Sequence, residues 1–158
     1  MIIKHSLKPI YDKNSKVLIL GTMPSIKSRE LNFYYAHPNN RFWTVLENVF
    51  EEKIIDKKEF LISKNIALWD VIYSCEIKAS ADYSIKNVKV NNINKIIKES
   101  HIKYIFTTGR KAYELYNRYL FPKCKIKAVY LSSTSPANAS KNLNALVKEY
   151  KIIKDYLF

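Results

Sequence analysis

Lys16-Val17-Leu18-Ile19-Leu20-Gly21 is a short, continuous apolar run closed by a glycine. A strand covered on both faces has no polar alternation, so the run predicts a buried parallel strand that opens into a loop at Gly21. Two further stretches have the same character, residues 66–73 and the segment Lys103-Tyr104-Ile105-Phe106-Thr107 leading into Thr108-Gly109. A fourth strand is expected over 126–131. Helical patterns separate them. Phe42, Val45, Leu46 and Val49 fall at i, i+3, i+4 and i+7, which predicts an amphipathic helix over 41–50 with Asn39 or Asn40 at its start. Further helices are expected at 57–63, 91–100, 110–119 (ending before Pro122) and 141–156. Strands alternating with helices predict an α/β fold, a three-layer sandwich with a central, mostly parallel four-stranded sheet. Ligands in such sheets bind beyond the carboxyl ends of the strands, so the loops after Leu20, Phe106 and Leu131 are expected to face one site.

A length of 158 residues suits a single domain spanning 1–158, and 47% hydrophobic residues with only two glycines give the apolar content of a packed core. The formal charge is +13, and only four of the 27 basic residues are arginine. Lysine is a flexible point charge, better suited to backbone phosphates than to bidentate reading of base edges. A field of this size attracts nucleic acid, acidic membranes or acidic proteins alike. Cys75 and Cys124 form no CxxC pair, so the chain alone builds neither a zinc ribbon nor a four-cysteine iron–sulfur site, and no metal or other cofactor is expected. The first ten residues carry Lys4 and Lys8 without a signal-like apolar run, and nowhere do 18 apolar residues follow one another. A cytoplasmic protein with no membrane partner is expected.

Three loops carry the candidate chemistry. In Gly21-Thr22-Met23-Pro24-Ser25 the glycine permits close approach and the proline fixes the turn, so backbone N–H groups could face a base; an ordinary strand exit has the same look. Tyr34-Tyr35-Ala36-His37-Pro38-Asn39-Asn40-Arg41-Phe42-Trp43 concentrates aromatic, imidazole, amide and guanidinium groups ahead of a helix. Taken singly, Asn40 reads as a helix cap, His37 as a hydrogen-bonded structural histidine and Tyr35 as core. Ser132-Ser133-Thr134-Ser135-Pro136-Ala137-Asn138 offers hydroxyl and amide groups suited to phosphate oxygens or to capping the loop itself. No acid–base dyad, nucleophilic triad or Walker loop is visible, which points to chemistry by positioning.

Together the three motifs resemble the uracil-DNA glycosylase superfamily, and most closely its deoxyinosine (hypoxanthine-DNA glycosylase) branch. Ile66-Ala67-Leu68-Trp69-Asp70-Val71-Ile72, Ser74-Cys75 and Asp82-Tyr83-Ser84-Ile85 extend the resemblance to about residues 16–140. The second motif is also similar to the mismatch-specific uracil glycosylases, but those place an asparagine where this chain has Met23. The resemblance therefore implies that Asn40 supplies the catalytic amide, to orient water or the leaving base. It implies that Gly21, Thr22, Met23, Pro24, Ser25, Tyr35 and His37 form the base site. Ser133, Ser135, Pro136, Ala137 and Asn138, with Arg110 and Lys111, would contact double-stranded DNA carrying a deaminated base. A monomer is expected, since a symmetric partner would have to avoid the DNA path. Two rivals from other classes stay open here: a non-catalytic basic DNA-binding module, and a hydrolase of free nucleosides.

Overall fold

The computed structural model describes residues 1–78 and 81–157. Its centre is a parallel four-stranded sheet of order β3-β2-β6-β7, with β2 at Val17–Gly21, β3 at Ile66–Asp70, β6 at Tyr104–Thr108 and β7 at Ala128–Leu131. The opening run is β2, every residue of it buried, paired in parallel with β3 on one side and β6 on the other. Its alternate residues divide two cores. Val17 and Ile19 face a cluster built with α2 (Phe42–Phe50), α3 (Lys57–Ser63), α7 (Leu143–Tyr150) and α8 (Ile152–Leu157). Leu18 and Leu20 face the opposite cluster, which takes in Ile93 and Ile96 of α4 (Ile93–Lys98) and Leu115 of α5 (Arg110–Leu115). These are the three layers, and the expectation of an α/β sandwich around a four-stranded parallel sheet holds.

Several local expectations are revised. The apolar run 66–73 is two strands: β3 ends at Asp70, and β4 (Ile72–Glu76) turns away into a second sheet of order β1-β4-β5 with β1 (Ile2–Lys4) and β5 (Lys86–Val90), all antiparallel. Continuity of burial concealed the break because Val71, where it falls, and Asp70 and Ile72 on either side are all buried. A short helix α1 (Ile26–Leu31) follows the first motif, with Ser25 capping it. The helix expected to stop before Pro122 continues through a π-helical turn, Tyr116–Leu120, into α6 (Phe121–Cys124). Pro122 lies in the first turn of α6, where a missing N–H costs nothing. The last helix is interrupted at Lys151 into α7 and α8. Among the described residues no helix is long and apolar enough to cross a membrane.

Candidate active site

The carboxyl ends of the central strands open into one cleft of about 710 Å³. Gly21 at the end of β2 with Thr22 to Ser25 after it, Asp70 at the end of β3, Thr108 at the end of β6 with Gly109 to Lys111 after it, and Ser133, Thr134, Ser135, Ala137 and Asn138 after β7 all contribute to its walls, together with Tyr35 and Asn40, while Pro136 of the last loop does not. The three loops anticipated from the sequence therefore do converge, and a fourth strand end joins them.

The first motif is tied down by serines. Ser25 Oγ accepts the Ser28 N–H at 3.1 Å, and the Ser28 hydroxyl oxygen accepts the Ala36 N–H at 3.1 Å, which joins the Gly21–Ser25 loop to the aromatic loop. Gly21 is required by space. A Cβ there would lie 2.5 Å from Asp70 Oδ1 and 2.9 Å from the Tyr35 hydroxyl, distances that no real side chain tolerates. Thr22, Met23, Pro24 and Ser25 all line the cleft.

Tyr35 holds a left-handed backbone, φ 51°, so its turn aims the ring inward. One ring face lies flat on Phe42, with centroids 3.9 Å apart and planes 13° apart, and the hydroxyl bonds Thr108 Oγ1 at 2.9 Å. Only the other face is left for the cleft. Burial, and then the Asp70 charge, push this phenol well above its ordinary pKa, so it keeps its proton. His37 is not among the cleft residues. Its Nδ1 accepts the Asn39 N–H at 3.0 Å and its carbonyl accepts the Asn40 N–H at 2.9 Å, which makes it a former of the turn that presents Asn40.

Asn40 was expected as the cap of α2, but the N-cap is Arg41, whose carbonyl accepts the first helical bond from Val45, and Asn40 stands one residue before it at the cleft. Its Oδ1 accepts the Phe42 backbone N–H at 2.9 Å and the Thr134 hydroxyl at 2.8 Å. A main-chain N–H can only donate, which fixes the orientation of the amide: both strong acceptor directions are used, and the Nδ2 protons have no partner among the described residues. Asn40 thus offers the cleft a donor.

The loop after β7 is pinned from two sides. The Arg41 guanidinium donates to the carbonyls of Lys141 (2.6 Å), Ser135 (2.9 Å) and Asn138 (3.0 Å), and the Arg41 backbone N–H donates to Thr134 O at 3.1 Å. Glu149 accepts the Ser132 backbone N–H and, at 2.8 Å, its hydroxyl, and pairs with Lys141. Desolvation opposes ionisation of Glu149, but Lys141 and the two Ser132 donors outweigh it and hold the carboxyl below its ordinary pKa. Within the loop, Ser133 and Ser135 hydroxyl oxygens accept the N–H groups of Ser135 and Ala137, while Asn138 donates to Ser133 O and accepts from Ser140. The serine protons remain available; the Asn138 amide is committed to the loop. Pro136 and Ala137 sit exposed at its tip, and Arg110 and Lys111 stand across the cleft.

Sequence reasoning missed three participants: Arg41 as the loop clamp, Thr134 as the second holder of Asn40, and a buried pair in which His5 Nε2 meets Asp70 Oδ2 at 2.8 Å. No dyad was expected, because 65 residues separate the two. Among the described residues no group of three or more His, Cys, Asp or Glu could hold a metal ion.

A parallel sheet covered on both faces, with a cleft of hydrogen-bonding side chains at its carboxyl edge, defines an α/β enzyme of the class that takes its ligand beyond the strand ends. The chain belongs to the uracil DNA glycosylase superfamily, whose family model matches residues 8–156, and it is a DNA glycosylase. It is 31% identical over 118 residues to a hypoxanthine DNA glycosylase of Methanosarcina barkeri, covering 70% of this chain and 74% of the relative. A hypoxanthine DNA glycosylase of Methanosarcina acetivorans is 32% identical over 120 residues, covering 72% and 75%. The solution NMR structure of a Methanosarcina acetivorans protein provisionally described as a uracil DNA glycosylase matches with a TM-score of 0.81 and 30% identity over 99% of both chains.

Proposed function

We propose that the enzyme hydrolyses the N-glycosidic bond of hypoxanthine in DNA, acting as a monofunctional base-excision repair glycosylase on a nucleotide rotated out of the duplex into the cleft. The names of the two relatives support hypoxanthine over other deaminated bases. The observation that carries the chemistry is the Asn40 amide, its oxygen held by Phe42 and Thr134 and its N–H groups free. Bond cleavage leaves negative charge on the departing purine and positive charge on the sugar. A donor fixed before the reaction stabilises charge that exists only in the transition state, and its loss costs about 10²–10³ in rate. In this reading Asn40 donates to the leaving base rather than activating water.

Extrusion of the base costs a few kcal/mol, less for a poorly paired lesion. Stacking on the open face of Tyr35 offsets this by about 1–3 kcal/mol. Backbone N–H groups of the Thr22–Ser25 loop approach the base, with Gly21 leaving the room. The Ser133 and Ser135 hydroxyls, with Arg110 and Lys111, bind phosphates, Asn138 and Arg41 keep that loop in shape, and Pro136 or Ala137 fills the vacated stack. The excess of lysine supplies the salt-sensitive background attraction.

The test is base release from end-labelled duplexes carrying a single deoxyinosine, deoxyuridine or deoxyxanthosine, with alkaline cleavage at the resulting abasic sites. Release of hypoxanthine first, lost in Asn40→Ala while duplex binding persists, is the expected result. Preferred release of uracil would move the substrate to the pyrimidine side of the superfamily.

A further inference from the structure

Asp70 closes β3 and lies at the floor of the cleft, 4% exposed. Its Oδ2 is clamped by His5 Nε2 at 2.8 Å, and the His5 ring is itself set between Tyr34 and Trp69. Both side chains are almost wholly buried. The second oxygen, Oδ1, has no hydrogen-bond partner among the described residues. It faces the gap left by Gly21, with the Tyr35 hydroxyl and Thr108 Oγ1 around the same point. A buried carboxylate with one oxygen held and the other open to a cleft is an acceptor waiting for a donor, because buried polar groups in folded proteins are otherwise paired.

Deamination changes hydrogen-bonding polarity on the base edge. Adenine N1 is an acceptor; in hypoxanthine the same nitrogen carries a proton, and cytosine N3 changes in the same way on becoming uracil. A fixed carboxylate oxygen is met by N1–H in the lesion and by a lone pair in adenine, which it repels. We propose that Asp70, held by His5, is the specificity-determining acceptor that reads the ring N–H created by deamination and thereby excludes adenine from the cleft. The proposal rests on the glycosylase reading above and adds the residue that separates the lesion from its parent base.

Deoxynebularine, which has an unprotonated N1 and no C6 substituent, serves as the probe. Duplexes with deoxyinosine or deoxynebularine are compared in wild type, Asp70→Asn and His5→Gln. Glutamine retains a donor for Asp70. Intrinsic differences in leaving ability cancel when the inosine-to-nebularine ratio of kcat/KM is compared between proteins. A hydrogen bond to a charged acceptor corresponds to roughly a 10- to 150-fold ratio, so Asp70→Asn is expected to shrink the ratio by that factor and His5→Gln to keep most of it. An unchanged ratio in Asp70→Asn, both rates falling together, would overturn the proposal.

Binding of duplexes bearing the 2′-fluoroarabino forms of the same nucleotides, which resist hydrolysis, gives the ratio without chemistry and, in wild type, without relying on any variant's folding. Wild type is expected to bind the inosine form at least tenfold more tightly, and equal binding overturns the proposal. Discrimination lost with Asp70→Asn in a protein that releases no base would refute the glycosylase reading alone. Turnover with discrimination indifferent to Asp70 would refute this proposal alone.

Discussion

Thr134→Val isolates the contribution of holding the Asn40 amide. Thr134 is 1% exposed, and valine replaces its hydroxyl with a methyl group of similar size, so no cavity opens. The main-chain bond from Arg41 N–H to Thr134 O is untouched, and Asn40 Oδ1 keeps the Phe42 N–H. What disappears is one neutral hydrogen bond of 2.8 Å, a net contribution of about 0.5–1.5 kcal/mol. If that energy is spent on keeping the amide in its reactive orientation, single-turnover release falls by about 2- to 13-fold. Asn40→Ala is expected to cost about 10²–10³ by comparison. Melting should fall by roughly 2–4 °C per kcal/mol for a chain of this size. Thr134→Ser, which restores the hydroxyl, is expected to recover the rate, and Thr134→Val added to Asn40→Ala to change nothing further. Full activity in Thr134→Val, or an equal further loss in the Asn40→Ala background, would refute the idea that Thr134 acts through Asn40.

Asn40→Asp keeps an acceptor for Phe42 and Thr134 but replaces the donor with a second oxygen, so base release should drop at least as far as in Asn40→Ala, about 10²-fold or more; retained activity would mean that the amide oxygen orders water instead. Gly21→Ala places a methyl 2.5 Å from Asp70 Oδ1 and 2.9 Å from the Tyr35 hydroxyl, and is expected to cost about 1–3 kcal/mol of stability by denaturant titration and most of the activity. For Glu149, the folded pKa lies below its unfolded value, so its stabilisation is fully present above the ordinary carboxylate value and is lost as pH falls from there through the lowered folded value. Glu149→Gln should therefore melt lower by an amount equivalent to about 1 kcal/mol at pH 7, after allowance for screening, and the two melting curves should converge only once pH has fallen below the lowered folded value.

The sheet was legible because β2 and β6 lie at the middle of a covered parallel sheet, where burial on both faces leaves β2 an uninterrupted apolar string and β6 a run of buried β-formers, Ile105 to Thr108. The second sheet was not. Its β5 reads Lys86-Asn87-Val88-Lys89-Val90, mostly exposed and rich in lysine, and β1 has only three residues. Their strand character comes from pairing with β4, a tertiary effect that propensity in so short a segment does not carry. The passage of the helix beyond Pro122 was hidden for a related reason: proline stops a continuous helix, but it is tolerated at the start of a new one, and the π-helical turn at Tyr116–Leu120 creates that start.

In the site, the legible part was the part built from local sequence. Thr22 to Ser25, Tyr35 and Asn40 announce themselves because a turn must be composed of residues suited to it, and the same residues line the cleft. The partners that orient them come from far away: Thr134 is 94 residues from Asn40, Asp70 is 65 from His5, and the carbonyls cradling the Arg41 guanidinium lie 94 to 100 residues beyond it. Sequence spacing conveys none of these. This distribution also fits the proposed chemistry, in which Asn40 is neutral and Asp70 is held by His5. If the chemistry depends on where a neutral amide and a carboxylate oxygen point, the energy must be invested in the groups that aim them, and those groups need only be adjacent in space. In the proposed reading, the bonds that hold the Asn40 amide oxygen, from the Phe42 N–H and the Thr134 hydroxyl, are the ones that leave its N–H groups free for the base.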